Sequence, residues 1–293
     1  MSDKYHDTVA KSQVTIDDDK VKAETAKILE KVETEKTPEL MKFLFSCVEL
    51  TSLQSTDSPQ SISELTERVN AFENEYGDLP NVATICVYPN FAQVVRTVLE
   101  VSETGIACVA GGFPSSQTFP EIKVAETALA VASGADEIDT VISIGDFLDG
   151  DWESVSDEIE EVKHSCQDRR LKVILETGAL ETAEKIRAAS VLALYSGADF
   201  LKTSTGKGYP GATPEAVYVM CKCIKEYYGA SGRQAGIKVA GGVSTPEEAL
   251  KYYAIVKSVL GEKWLSPEYF RIGSSSLANS LFKEITGKQE NFF

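Results

Sequence analysis

The stretch LKVILETGALETAEKIRAASVLALYSGADFLKTST (171–205) sets the fold. It opens on LKVILET (171–177), an almost continuous apolar run, as expected of a strand buried on both faces. A helical pattern follows over 180–196, and Gly197 stands where a helix end favours a left-handed residue. ADFLKTS (198–204) is a second apolar run and closes the unit. Strand, helix and strand in this space make a parallel crossover.

The same rhythm extends in both directions. Apolar runs recur at 43–50 (FLFSCVEL), 82–88 (VATICVY), 105–110 (GIACVA), 135–142 (ADEIDTVI), 236–240 (GIKVA) and 269–273 (YFRIG). Helical patterns lie at 61–76, 90–103, 119–133, 152–168, 213–229, 245–260 and 275–286. Thr213-Pro214-Glu215 and Thr245-Pro246-Glu247 place Thr at an N-cap and Pro in the first turn. Eight strands, each followed by a helix, predict an α/β protein: a single-domain (β/α)8 TIM barrel over residues 41–286. A doubly wound sheet is the alternative, but its GxGxxG turn after the first strand is missing. Residues 1–40 read as a charged extension with one helix over 18–34, whose Val21, Ile28, Leu29 and Val32 share a face. Residues 287–293 read as a tail.

The 293 residues carry 29 Lys and Arg against 45 Asp and Glu, a net charge of −16. That balance argues against nucleic acid and against an anionic membrane as partner. No apolar run approaches the roughly 18 residues of a membrane span, and the opening residues lack a signal-peptide core. The expectation is a cytoplasmic protein whose six scattered cysteines are reduced thiols. The two histidines, His6 and His164, lie in charged stretches, so neither a zinc centre nor a Ser-His-Asp triad is expected. No metal and no cofactor is called for.

Barrel chemistry sits at the C-terminal ends of the strands. Side chains two apart on a strand share a face. Lys202 shares its face with Phe200 and Ser204, Lys238 with Ala240, and Asp139 with Glu137. Lysines in core strands are rare without a reason. They can point outward between helices, but two on adjacent strands with an Asp available favour the lumen. A second cation and burial lower a lysine's pKa, and the neutral amine then adds to a carbonyl. The imine formed is an electron sink, and a carboxylate can move the protons. This is metal-free aldolase chemistry. Gly206-Lys207, Gly241-Gly242 and Gly273-Ser274-Ser275-Ser276 suggest a phosphate held by backbone N–H groups after the last three strands.

These residues carry a resemblance. ICVYPNF (85–91), GADEIDTVI (134–142), KVILETG (172–178), ADFLKTSTGK (198–207), KVAGGVST (238–245) and RIGSSS (271–276) resemble the deoxyribose-phosphate aldolases, in order, from about residue 42 to 282. The resemblance implies a class I aldolase that reversibly cleaves 2-deoxy-D-ribose 5-phosphate to D-glyceraldehyde 3-phosphate and acetaldehyde. It implies Lys202 as Schiff-base lysine, Lys238 as the group lowering its pKa, and Asp139 as proton donor and acceptor. Gly206, Lys207, Gly241, Gly242, Gly273, Ser275 and Ser276 would hold the phosphate or its loops, with Thr51 and Thr205 near the substrate. Glu49 stands where the family often has Asp, Ser244 where it often has Arg, and Asn291-Phe292-Phe293 offers no tail tyrosine. Glu176 is expected to orient a catalytic lysine, and Cys86 to be a core thiol. The partner is a small phosphorylated sugar, and a homodimer or tetramer is expected, with the N-terminal helix a candidate interface. The rival readings are another Schiff-base barrel enzyme, such as a transaldolase or a fructose-phosphate-type aldolase, and a phosphosugar-binding protein without catalysis.

Overall fold

The computed structural model describes residues 4–15, 17–32 and 36–293. Eight parallel strands close a barrel in chain order. They are β1 (Val48–Thr51), β2 (Thr84–Val87), β3 (Gly105–Ala110), β4 (Glu137–Val141), β5 (Arg170–Ile174), β6 (Phe200–Lys202), β7 (Gly236–Ala240) and β8 (Phe270–Ser274). β8 pairs back onto β1, with Glu49 opposite Gly273. The predicted single-domain (β/α)8 barrel is the observed fold.

Outward-facing Val, Ile and Leu of the strands, such as Val173, Leu201 and Ile237, join one core with the surrounding helices. A second, smaller apolar cluster is separate from it. Leu53, Cys86, Ala107 and Val109 form it, with Tyr88 and Phe113 against them, inside the mouth on the β1–β3 side. Thr213 and Thr245 cap helices Pro214–Ser231 and Pro246–Val259, their hydroxyls accepting from Ala216 and Glu248 N–H. These caps end the loops after β6 and β7 at fixed points.

Several boundaries differ from expectation. The run 43–50 does not begin as a strand: Pro38–Ser46 is a helix and β1 starts at Val48. Thr37 caps that helix, Pro38 opens it, and Met41, Leu44 and Phe45 bury one face at helical spacing. The pattern over 90–103 gives only a short turn at Pro89–Phe91 and helix Ala92–Val98. It stops because Asn70 takes both the Val98 carbonyl and the Glu100 N–H. In the extension, a helix at Lys4–Ala10 was not anticipated. The next runs Asp18–Leu29, capped by Asp17, and residues 33–34 of the expected helix lie outside the described residues. Its Val21 and Thr25 are buried, and it packs on helices Pro214–Ser231 and Pro246–Val259 of its own chain.

The barrel floor rests on a close approach. Phe200 and Gly236 are register partners on β6 and β7. A Cβ at 236 would lie 2.4 Å from the Phe200 ring, so only glycine fits beside it. That ring in turn lies 5.9 Å from the Arg271 guanidinium. Gly236→Ala is therefore expected to destabilise the protein by about 1–3 kcal/mol through overpacking. Urea unfolding reads this as a lower midpoint at unchanged slope; an unmoved midpoint would show that the floor yields freely.

Candidate active site

The strands place an unusual number of charges inside the barrel. Lys202 and Lys238 are direct register partners, as are Asp139 and Lys172. Asp139 Oδ2 accepts from Lys202 Nζ at 2.7 Å and from Lys238 Nζ at 2.6 Å. Its Oδ1 accepts from Lys172 Nζ at 3.0 Å. Glu49 accepts from Lys238 and lies 3.2 Å from both Lys172 Nζ and an Arg271 nitrogen. One layer lower, Glu137 pairs with Lys172 at 2.5 Å and with Arg271 at 3.0 Å. Arg170, half-buried, joins Glu137 to Glu268 at the bottom of the barrel.

Buried together are four cations (Lys172, Lys202, Lys238 and Arg271) and three carboxylates (Glu49, Glu137 and Asp139). A dry interior does not hold an unbalanced charge cheaply. One cation is in surplus, and the surroundings single out Lys202. It contacts one carboxylate oxygen only, with the Phe113 ring 5.9 Å from its Nζ. Burial pulls its amine below the ordinary lysine value, and Lys238 adds to that against the pull of Asp139. Burial disfavours the Lys238 ammonium too, but Asp139 and Glu49 outweigh it and hold this lysine well above its ordinary value. Burial likewise opposes ionisation of Asp139, and the three lysines around it more than reverse this. Of the three lysines, Lys202 is the one whose amine is eased toward the uncharged form, and it stands beside the Lys238–Asp139 ion pair.

Above these groups opens a cavity of about 300 Å³. Lys202 and Lys238 form its floor, with Thr51, Thr205, Gly206, Lys207, Gly241, Gly242, Gly273, Ser275 and Ser276 around them. The structure thus brings together in one cavity every residue singled out for binding. Asp139 does not face the cavity; it sits behind the two lysines. Gly241 packs against Gly211, where a Cβ would lie 2.7 Å from the Gly211 Cα, so the turn after β7 touches the loop after β6. Lys207 reaches across the mouth and donates to the Leu53 carbonyl at 2.8 Å. Ser244 lines the rim, its N–H held by Glu248. A larger cavity of about 530 Å³ lies on the flank, between helix Asp18–Leu29 and helices Pro214–Ser231 and Pro246–Val259. It holds none of these groups, so chemistry rather than volume selects the site.

One expectation is corrected. Glu176 does not orient a lysine; its carboxylate accepts from the Thr205 hydroxyl at 2.6 Å. The tail does not lie at the mouth. Phe292 and Phe293 pack against Phe72 on the barrel's flank, and Asn279 binds both their N–H groups. Sequence reading missed Lys172 and Arg271, although each is a cation in an otherwise apolar run (KVILET and YFRIG), the signal that marked Lys202. Glu49, Cys86 and Asp139 bring ligand atoms within 4.8 Å of one another, as a metal would need. Lysine ammoniums already bind both carboxylates, so the group is an ion-pair cluster.

Residues 52–264 match the sequence model of the DeoC/LacD family of aldolases. The chain belongs to this family. It is 36% identical over 250 residues to the human deoxyribose-phosphate aldolase, covering 81% of this chain and 78% of that one. It is 35% identical to the Agrobacterium fabrum deoxyribose-phosphate aldolase, covering 87% and 95%. A tetrameric deoxyribose phosphate aldolase from Aeropyrum pernix shares the fold, with a TM-score of 0.66 at 21% identity, over 89% of this chain and 98% of that one.

The aldolase's ion network also links stability to pH. Burial opposes the charge on Glu137, but Lys172 and Arg271 hold its carboxyl down at about 2, against an ordinary 4.5. A carboxylate depressed on folding contributes stability that is complete above the unfolded value and lost as pH falls through the folded one. Urea midpoints of the wild type should therefore fall between about pH 4.5 and pH 2. Glu137→Gln should be less stable at pH 7 and fall less steeply over that window. Parallel curves for the two proteins would remove Glu137 from the linkage.

Proposed function

We propose that this aldolase cleaves 2-deoxy-D-ribose 5-phosphate to D-glyceraldehyde 3-phosphate and acetaldehyde, and runs the reverse condensation, through a Schiff base on Lys202. The observation that carries the reading is the buried Lys202 amine, in surplus over the carboxylates and open to the cavity. Lys238 is held charged by two carboxylates and is unsuited to attack. This supports the assignment of Lys202 as nucleophile.

The steps follow from the geometry. The neutral Lys202 amine adds to the C1 carbonyl of the open-chain sugar. Asp139, bridging Lys202 and Lys238, is placed to pass the protons of carbinolamine formation and dehydration. The iminium then draws the electron pair of the C2–C3 bond as the C3 hydroxyl loses its proton. Glyceraldehyde 3-phosphate leaves, the enamine is protonated at C2, and water hydrolyses the imine to acetaldehyde. Gly206, Lys207, Gly241, Gly242, Gly273, Ser275 and Ser276 hold the phosphate end, and Thr51 and Thr205 contact the sugar. The apolar cluster around Leu53, Cys86 and Phe113 suits the acetaldehyde end, which lacks a hydroxyl.

We also propose that the enzyme self-associates as a dimer or tetramer, which light scattering tests directly. No helix among the described residues is long and apolar enough to cross a membrane. All six cysteines are unpaired and buried, which supports a reducing, cytoplasmic setting.

Borohydride reduction in the presence of acetaldehyde should add a stable adduct at Lys202, found by peptide mass spectrometry and absent from Lys202→Ala. An adduct at Lys238 instead, or at no lysine, would overturn the mechanism. Because only the neutral amine attacks, kcat/KM should rise with pH through the depressed Lys202 pKa. A profile that falls over the same range would mean that the charged lysine acts.

A further inference from the structure

Glu176 stands apart from the ion network yet is 1% exposed at the end of β5. Its backbone is left-handed, with φ 55° and ψ 60°, a conformation that a β-carbon disfavours. The strain aims the side chain at the loop after β6. There the Thr205 hydroxyl donates to Oε2 at 2.6 Å, and the Thr205 N–H donates to the same carboxylate at 3.3 and 3.4 Å. With its hydrogen given to Glu176, the Thr205 oxygen accepts from the Lys207 N–H at 3.0 Å. One carboxylate therefore sets Thr205 directly and Lys207 through it.

The surrounding loops interlock around this tether. The Thr177 N–H donates to the Thr203 carbonyl at 2.9 Å. A Cβ on Gly178 would lie 2.3 Å from the Pro210 carbonyl oxygen, and one on Gly211 would lie 2.3 Å from that of Gly241. The turn after β5 thus abuts the loop after β6, and that loop abuts the glycine turn after β7. Charge-assisted hydrogen bonds such as those to Glu176 are the strong members of their class.

We propose that Glu176 is a positioning residue, whose carboxylate fixes the loop after β6 so that Lys207 meets the phosphate end of the substrate, with Thr205 against the sugar beside it. The proposal rests on the substrate reading above. It predicts a defect confined to binding of the phosphorylated end. Glu176→Ala should raise KM for deoxyribose 5-phosphate about tenfold, the loss of one such bond, with kcat within about twofold. Glu176→Gln keeps an acceptor for the Thr205 hydroxyl and should restore KM to within about threefold. Borohydride trapping of acetaldehyde at Lys202, which needs no phosphate, should proceed at the wild-type rate in both variants.

A fall in kcat at unchanged KM would overturn the proposal, as would slowed acetaldehyde trapping or an Ala variant that behaves as wild type. The affinity for inorganic phosphate, measured by calorimetry, reads the tether without turnover. A wild type that traps acetaldehyde but ignores deoxyribose 5-phosphate would overturn the substrate reading. In that case weaker phosphate binding by Glu176→Ala still supports the tether, and equal binding overturns it.

Discussion

The unequal charge along the barrel axis governs the rest of the site. Four buried cations crowd three carboxylates, a balance that a largely buried setting disfavours. Such a setting eases one amine toward its uncharged form. Which amine is decided by the number of carboxylates each lysine reaches. Lys172 reaches three and Lys238 reaches two, while Lys202 reaches only Asp139. The lysine with the fewest carboxylate partners is thus the one whose pKa falls. The same count explains why Lys238 beside Lys202 is an asset: it is fixed as a cation and pushes against charge on its neighbour.

The mouth is divided to match. On the β1–β3 side it is apolar, with Cys86, Val109 and Phe113 facing one another. On the β6–β8 side it is glycine, serine and Lys207. A ligand with one apolar end and one anionic end has a single sensible orientation between them. The barrel produces this division cheaply, because each strand end is followed by a loop free to vary in composition.

Most of the fold was legible in the sequence because parallel strands covered on both faces are continuous apolar runs. β1 was misjudged at its start for the same reason: an amphipathic helix and a buried strand look alike over four residues. Phe43–Ser46 are apolar enough for either, and the Thr37-Pro38 cap decides for the helix. The trio Lys202, Lys238 and Asp139 was legible because charge in a core strand is conspicuous. Lys172 and Arg271 carried the same mark, but each lies deeper than the strand end, where chemistry is not sought. Glu176 could not have been placed from sequence. Its target depends on a left-handed backbone at a residue other than glycine, and nothing local announces that.

Glu49 shows how tightly the network fixes side-chain length. It departs from the Asp that the family resemblance leads one to expect. From β1 its carboxylate meets Lys238 near the mouth, Lys172 across the barrel and Arg271 one layer down. Those three cations come from β5, β7 and β8, so the carboxylate has to stand near the axis rather than against its own strand. The extra methylene of Glu supplies that reach. Glu49 therefore joins the upper layer of Asp139, Lys202 and Lys238 to the lower layer of Glu137 and Arg271. Removing one partner from such a buried cluster costs more than the pair is worth, because the others are left uncompensated. The site's electrostatics and the barrel's stability are in this way one property, held through a carboxylate that does not touch the cavity.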